Sequence, residues 1–187
     1  MSELEFDEAT HTYSVSGKQM SSVTRILKSA GLIDERWFSD EGARRGSYAH
    51  KALELYDQSD LDEETLDPGL VPYLDAWKKF RSEFPCEILA VEERVVHPVY
   101  SYAGTLDRRV KLKGKDEKAV IDLKTGEPQN WHAVQTAAYA MAFDEPMRRF
   151  GVYLSEGGFK LVEHKDRNDY NVFKACLTIH NFKARNS

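Results

Sequence analysis

A short apolar run at residues 118–123 constrains the fold most strongly, since its Lys-Ala-Val-Ile-Asp-Leu sequence leads directly into a turn containing Gly126 and Pro128. Such a compact run is typical of a central strand that is covered on both faces. Two strand-like runs precede it, at 87–97 and 103–112, and their spacing predicts hairpin partners. A helix is predicted after the turn, from 131 to about 143, with Asn130 as its N-cap. This order predicts an α/β fold with a mixed central β-sheet flanked by helices.

The remaining sequence supplies further strands and helices on both sides of this central part. Residues 6–20 predict a β-hairpin, and Ser21 or Ser22 can cap a short helix that ends near Gly31. We expect these elements to form an N-terminal hairpin and helix leader, residues 1–38. The other predicted elements are helices at 39–56, 71–84 and 169–183 and strands at 150–154 and 159–164. The chain length predicts a single domain, 1–187, with its core in residues 39–187.

The distribution of charge leaves a nucleic-acid partner open despite a net charge of −5. Six acids and no bases lie between Asp57 and Asp67, which we expect to form a solvated loop, and the rest of the chain is close to neutral. No stretch reaches the ~20 apolar residues that would cross a bilayer, and the N-terminus lacks a secretory pattern, so we expect no membrane partner and a cytoplasmic location. Cys86 and Cys176 are expected to be reduced and buried, and two cysteines cannot hold an iron–sulfur cluster.

Two aspartates and a lysine define the candidate chemistry. Asp107 and Asp122 are predicted near the ends of adjacent strands, where their oxygens could converge on Mg²⁺ or Mn²⁺. Lys124 lies two residues after Asp122, so both side chains leave the same face of the strand. A metal ion beside an ammonium is what hydrolysis of a phosphodiester needs. The alternative is a solvated Asp–Lys pair, which is common on protein surfaces.

The order of several short motifs favours the catalytic interpretation. They are Gly104-x-x-Asp107, Asp122-x-Lys124-Thr125 and Gln135-x-x-x-Tyr139, preceded by segments around His50 and Glu93. This set resembles the RecB-like, phage-type exonuclease branch of the PD-(D/E)XK nuclease superfamily, over most of the chain up to Tyr139. The resemblance implies a restriction-endonuclease-like core and a Mg²⁺- or Mn²⁺-dependent deoxyribonuclease active in DNA recombination, repair or phage DNA processing.

The resemblance also implies a role for each matching residue. Asp107, Asp122 and the main-chain carbonyl of Leu123 would bind the metal, with His50 as a further ligand. Lys124 would be the catalytic lysine, and Gln135 and Tyr139 would brace the site or touch DNA. Glu93 is preferred as the acid of the preceding strand over Glu92, whose side chain leaves the opposite face.

DNA with a single-stranded end is the expected partner, and any helicase or recombination protein would be a separate chain. Candidate DNA-binding residues are Arg44, Arg45, Arg108 and Tyr139. Four aromatic residues could stack on unpaired bases, namely Trp37, Phe38, Tyr48 and Trp131. An exonuclease is the preferred interpretation. The alternatives are a site-specific or structure-specific endonuclease and a catalytically silent DNA-binding module on the same fold.

Overall fold

The structure is a computed structural model that describes residues 4–8, 10, 12–34 and 39–186. In these residues the chain forms eight β-strands and five α-helices. The strands are β1 (Leu4–Asp7), β2 (Thr12–Val15), β3 (Lys18–Ser22), β4 (Cys86–His97), β5 (Tyr102–Leu112), β6 (Lys118–Lys124), β7 (Met147–Ser155) and β8 (Gly158–Glu163). The helices are α1 (Val23–Ser29), α2 (Asp40–Asp57), α3 (Val71–Glu83), α4 (Asn130–Met141) and α5 (Asn168–Arg185), with a short 3-10 helix at Glu63–Thr65.

All eight described strands belong to one mixed sheet, which confirms the α/β class. Its order is β1-β2-β3-β5-β6-β7-β8, with β4 paired to β5 outside this path. The pairs β3–β5 and β6–β7 are parallel, and the other pairs are antiparallel. This sheet, flanked by helices, is consistent with the restriction-endonuclease-like core expected from the sequence.

The helices cover both faces of the sheet, because alternate residues of its strands are apolar on each side. Leu53 of α2 packs with Trp77 and Phe80 of α3 against Ile121 and Leu123 of β6. On the other face, α1, α4 and α5 contribute apolar side chains to a second cluster that includes Val120. Strand β6 is therefore central and buried on both faces, as the run at 118–123 predicts.

Local sequence signals account for the starts of α1 and α2. Ser22 and Ser39 accept hydrogen bonds from the amides of Arg25 and Gly42 and thereby cap α1 and α2. The prediction that Asn130 caps α4 is wrong, since Gln129 occupies the cap position and its amide donates to His132 Nδ1 at 3.1 Å.

The N-terminal strands, expected as a leader, are hydrogen-bonded to the central sheet. Strand β3 pairs in parallel with the start of β5, through Ser21 beside Tyr102 and Ser22 beside Ala103. Strand β1, which the sequence does not predict, pairs with β2 at the edge of the same sheet. Strands β1, β2 and β3 therefore extend the central sheet.

Cys86 and Cys176 are buried free thiols, as expected. None of the helices in the described ranges has both the length and the apolar character needed to cross a membrane.

Candidate active site

A histidine and two carboxylates converge beside the end of β6. Ligand atoms of His50, Glu92 and Asp107 all lie within 4.8 Å of one another. They come from α2, β4 and β5 respectively, so three distant parts of the sequence meet at one point. The paired strands β4 and β5 bring the two acids together, and α2 places the imidazole beside them.

Asp107 is held in the centre of this group. Its Oδ2 accepts a hydrogen bond of 2.5 Å from the amide of Leu123, and its Oδ1 lies 3.5 Å from His50 Nδ1. Burial raises the pKa of Asp107, but His50, Lys124 and the Leu123 amide outweigh burial and lower the pKa below its usual range. Burial conversely lowers the pKa of His50, and the Asp107 carboxylate raises it above its usual value. The two groups stabilise each other's charged forms.

Asp122 and Lys124 form the second half of the site. Lys124 Nζ lies 2.7 Å from Asp122 Oδ2. Although this is an ion-pair distance, the same buried oxygen has no partner with hydrogen-bond geometry in the described residues. Burial and the neighbouring Asp107 raise the pKa of Asp122, although Lys124 opposes them. Asp122 is therefore a buried carboxylate whose charge is balanced by the Lys124 ammonium.

A chain of hydrogen bonds fixes the ammonium of Lys124 from the α4 side. Lys124 Nζ donates to Gln135 Oε1 at 3.1 Å, and Gln135 Nε2 donates to the Tyr139 hydroxyl at 3.0 Å. Gln135 and Tyr139 are 6% and 5% exposed, so this chain is shielded from water. The same ammonium lies 5.5 Å from the centre of the Trp131 ring. The structure thus brings Asp107, Asp122, Lys124, Gln135 and Tyr139 together, as the sequence predicts.

The preference for Glu93 is wrong, because Glu92 occupies the position in the cluster. In the β4–β5 register, Val91 pairs with Arg108 and Glu93 with Leu106, which leaves Glu92 opposite Asp107. Glu93 instead accepts two hydrogen bonds from Arg109, at 2.6 and 3.0 Å. Burial and the nearby Asp107 carboxylate raise the pKa of Glu92 to about 7.

Two of the predicted DNA-binding residues are inaccessible. Arg108 has a fully buried side chain that is paired with Asp57 and Glu92. Tyr139 is buried beneath the site, so it braces Gln135 and has no surface to offer to DNA. The Asp57 side chain is itself completely buried, in contrast to the solvated loop expected for the acidic segment.

An open groove of about 890 Å³ runs past the site. Its walls include the N-terminal half of α2, the turn after β6 and the start of α4. Arg45 and Trp131 line this groove, whereas Arg44 lies on the surface outside its lining, and Tyr48 is 64% exposed. Trp37 and Phe38 lie outside the described residues.

The donor set suits a divalent cation. His50, Glu92 and Asp107 bring one imidazole and two carboxylates within 4.8 Å of one another, and burial with repulsion from neighbouring carboxylates disfavours the ionised forms of Glu92 and Asp122. A cation would offset this repulsion. Carboxylate oxygens with one imidazole are donors that Mn²⁺ and Mg²⁺ accept. A role for the Leu123 carbonyl stays a prediction, whereas the amide of this residue donates to Asp107.

The sequence does not identify Glu92 as a member of the cluster or Asp57 as a buried carboxylate. The register of β4 against β5 was the missing signal for Glu92. Asp57 lies at the last position of α2, and only its seven-residue spacing from His50, two helical turns, would have hinted that both point inward.

Comparison with known proteins adds little. No protein-family model matches the chain, and no curated protein matches it. Among solved structures, the crystal structure of SSO0001 aligns with 86% of this chain and 83% of that chain, at 15% sequence identity and a TM-score of 0.41. A similarity this weak indicates no function.

Proposed function

We propose that this chain is a divalent-metal-dependent deoxyribonuclease. The observation that carries the proposal is the meeting of Asp107, Asp122 and Lys124 in one buried site that opens to a groove. A purely structural Asp122–Lys124 ion pair would not need His50, Glu92 and Asp107 beside it. The motif resemblance to RecB-like PD-(D/E)XK nucleases points to the same chemistry.

His50, Glu92, Asp107 and Asp122 would hold the ion, Mg²⁺ or Mn²⁺. When bound, such an ion supplies Lewis-acid chemistry and lowers the pKa of a water molecule. The protein contributes the rigid placement of its ligands, of which Asp107 is fixed by the Leu123 amide. His50, with a side chain that is 30% exposed, lies on the groove side of this group.

Lys124 would act on the reacting phosphate. Its ammonium lines the groove and is held by Asp122 and Gln135, so it has a fixed position beside the proposed metal ligands. A fixed positive charge stabilises the extra negative charge that develops on the phosphoryl oxygens during hydrolysis. Gln135 and Tyr139 position this ammonium and do not touch the substrate.

DNA would lie in the groove, with its phosphates near Lys124 and Arg45. Trp131 offers an aromatic face that could stack on an unpaired base. We favour an exonuclease that acts on single-stranded ends in the cytoplasm, with any helicase or recombination protein as a separate partner. This preference follows the motif resemblance, because the groove geometry is compatible with both end-directed and internal cleavage.

The test is cleavage of end-labelled single- and double-stranded DNA, in linear and circular form, with Mg²⁺, Mn²⁺ or EDTA. We expect metal-dependent release of short products from linear DNA. Asp122→Asn and Lys124→Met should each reduce the rate by at least about 100-fold, as expected for loss of a group that stabilises developing charge. Lys118→Met is the matched control, since Lys118 lies at the other end of β6 and pairs with Glu145.

The product pattern separates the alternatives. Cleavage of closed circular DNA at rates similar to linear DNA would replace the exonuclease with an endonuclease. DNA binding without cleavage under any metal condition would indicate a silent binding module. Equal activity in the parent, Asp122→Asn and Lys124→Met would contradict the assignment of this site.

A further inference from the structure

A completely buried ion pair lies next to the proposed metal site. The side chains of Asp57 and Arg108 are both 0% exposed, and Arg108 Nε donates to Asp57 Oδ2 at 2.6 Å. Asp57 also accepts from Trp77 Nε1 at 3.1 Å and from Arg81 Nη1 at 2.5 Å. The carboxylate at the end of α2 is therefore fixed by α3 and by β5 together.

The same guanidinium also contacts two residues of the proposed metal site, Glu92 and Asp107. Arg108 Nη1 donates to Glu92 Oε1 at 3.2 Å and to the main-chain oxygen of Asp107 at 2.6 Å. One side chain thus links Asp57 to a proposed metal ligand and to the backbone of another. Within the described residues, the hydrogen bonds and ion pairs of the Asp57 side chain go to Trp77, Arg81 and Arg108 and not to the proposed ligands.

The energetic cost of this arrangement argues for more than structural support. A buried ion pair loses the hydration of both charges, and apolar replacements of similar volume are often neutral or stabilising. Here the cost is higher still, since Arg108 Nη2 is buried without a hydrogen-bond partner in the described residues. Core packing alone would be served better by an apolar side chain.

We propose that Arg108, anchored by Asp57, is a positioning residue that fixes the Glu92 carboxylate for metal binding. The proposal rests on the proposed metal site and extends it to residues that never contact the ion. The planar guanidinium holds Asp57 on one edge and Glu92 on the other, a geometry that a lysine ammonium cannot reproduce. Arg108→Lys therefore removes the geometry while it retains the charge.

The experiment measures Mn²⁺ binding by the full chain, from the EPR signal of free Mn²⁺ during titration. We expect Arg108→Lys to weaken Mn²⁺ affinity about tenfold, the loss typical when the partner of a metal ligand is removed. Arg109→Lys is the matched control, since Arg109 pairs with Glu93 on the same two strands and does not touch the proposed ligands. We expect its affinity to stay within about twofold of the parent.

Two further variants separate positioning from general stability. Asp57→Asn with Arg108→Met removes both buried charges, so we expect a folded protein by circular dichroism that still binds Mn²⁺ about tenfold more weakly. In a Glu92→Gln background, Arg108→Lys should cause little additional loss of affinity, because the side chain through which Arg108 acts has already been changed.

The outcomes distinguish this inference from the proposed function. If the unmodified chain binds no Mn²⁺, the proposed metal site fails. If the unmodified chain binds Mn²⁺ and the folded charge-free double variant binds it equally well, the positioning role of Arg108 is overturned. A full tenfold loss from Arg108→Lys in the Glu92→Gln background would likewise show that Arg108 does not act through Glu92.

Discussion

Replacement of Gly104 by alanine tests the close packing between β5 and α4 beneath the site. A Cβ at this position would lie 2.8 Å from Tyr139 Cε1 and 3.2 Å from Val23 Cγ2. The Tyr139 ring cannot easily withdraw, because it is 5% exposed and its hydroxyl accepts from Gln135. A shift of the ring or of β5 is therefore required.

The size of the effect follows from this overlap. Insertion of a methyl group into a packed core typically costs about 1–3 kcal/mol. At about 2–4 °C per kcal/mol for a protein of this size, Gly104→Ala should lower Tm by roughly 2–12 °C. Thermal unfolding followed by circular dichroism at pH 7 measures the shift.

Two comparisons make the result specific. A Cβ at Gly126 would have no atom within 4 Å, so Gly126→Ala should change stability by no more than about 0.5 kcal/mol. In a Tyr139→Leu background the clashing ring atom is absent, and Gly104→Ala should cost less than in the parent. A Gly104→Ala protein as stable as the parent would refute the reasoning.

Three further predictions concern ionisable side chains. Burial lowers the pKa of His132 to about 3, so the free energy of unfolding should fall as pH drops from about 6.5 toward 3. His132→Gln should reduce this fall, measured by urea titrations at pH 7 and pH 5. An unchanged pH dependence would contradict the burial of a neutral imidazole. Arg149 is 3% exposed, and its Nη2 lies 2.9 Å from Asp169 Oδ2. Arg149→Met should therefore lower the free energy of unfolding by about 3–5 kcal/mol, because it leaves the Asp169 charge without its partner. A urea midpoint equal to that of the parent would contradict this. Glu92→Gln should weaken Mn²⁺ affinity at least about tenfold while Glu93→Gln leaves it within about twofold, and equal losses would argue against the assignment of Glu92.

The sequence predicts the fold well where its signals are local. The apolar run at 118–123 identifies the central strand β6, and Ser39 marks the start of α2. Amphipathic spacing locates α3 and α4 within a few residues of their observed ends. The pairing of β3 with β5 could not be predicted, since it joins two residues of each strand that are far apart in the chain.

In the candidate site, too, local sequence signals predict some positions and long-range pairing determines the others. Strand alternation places Asp122 and Lys124 on one face, and the helical spacing of Gln135 and Tyr139 gives their shared direction. The position of Glu92 depends on a register shift between Ile88 and Ala90 in β4 and on its own left-handed backbone, with φ of 48°. Neither feature has a signal in the residue types.

The sequence also does not predict the burial of the Arg108 and Asp57 side chains. An arginine beside the predicted metal ligand Asp107 suggests contact with phosphate, and an aspartate at the start of an acidic segment suggests exposure to water. Their burial depends on partners from other elements, since Arg108 of β5 pairs with Asp57 of α2, and a buried charge requires such a partner.

The parallel pairing of β3 with β5 also bears on biosynthesis. Ser21 and its neighbour Tyr102 are separated by about 80 residues, so the ribosome must add that length before the first three strands can join the rest of the sheet. At about 5–20 residues per second, the wait is roughly 4–16 s. During this interval the edge of β3 that later meets β5 has no strand to pair with, so the first three strands form an open sheet edge until β5 is made.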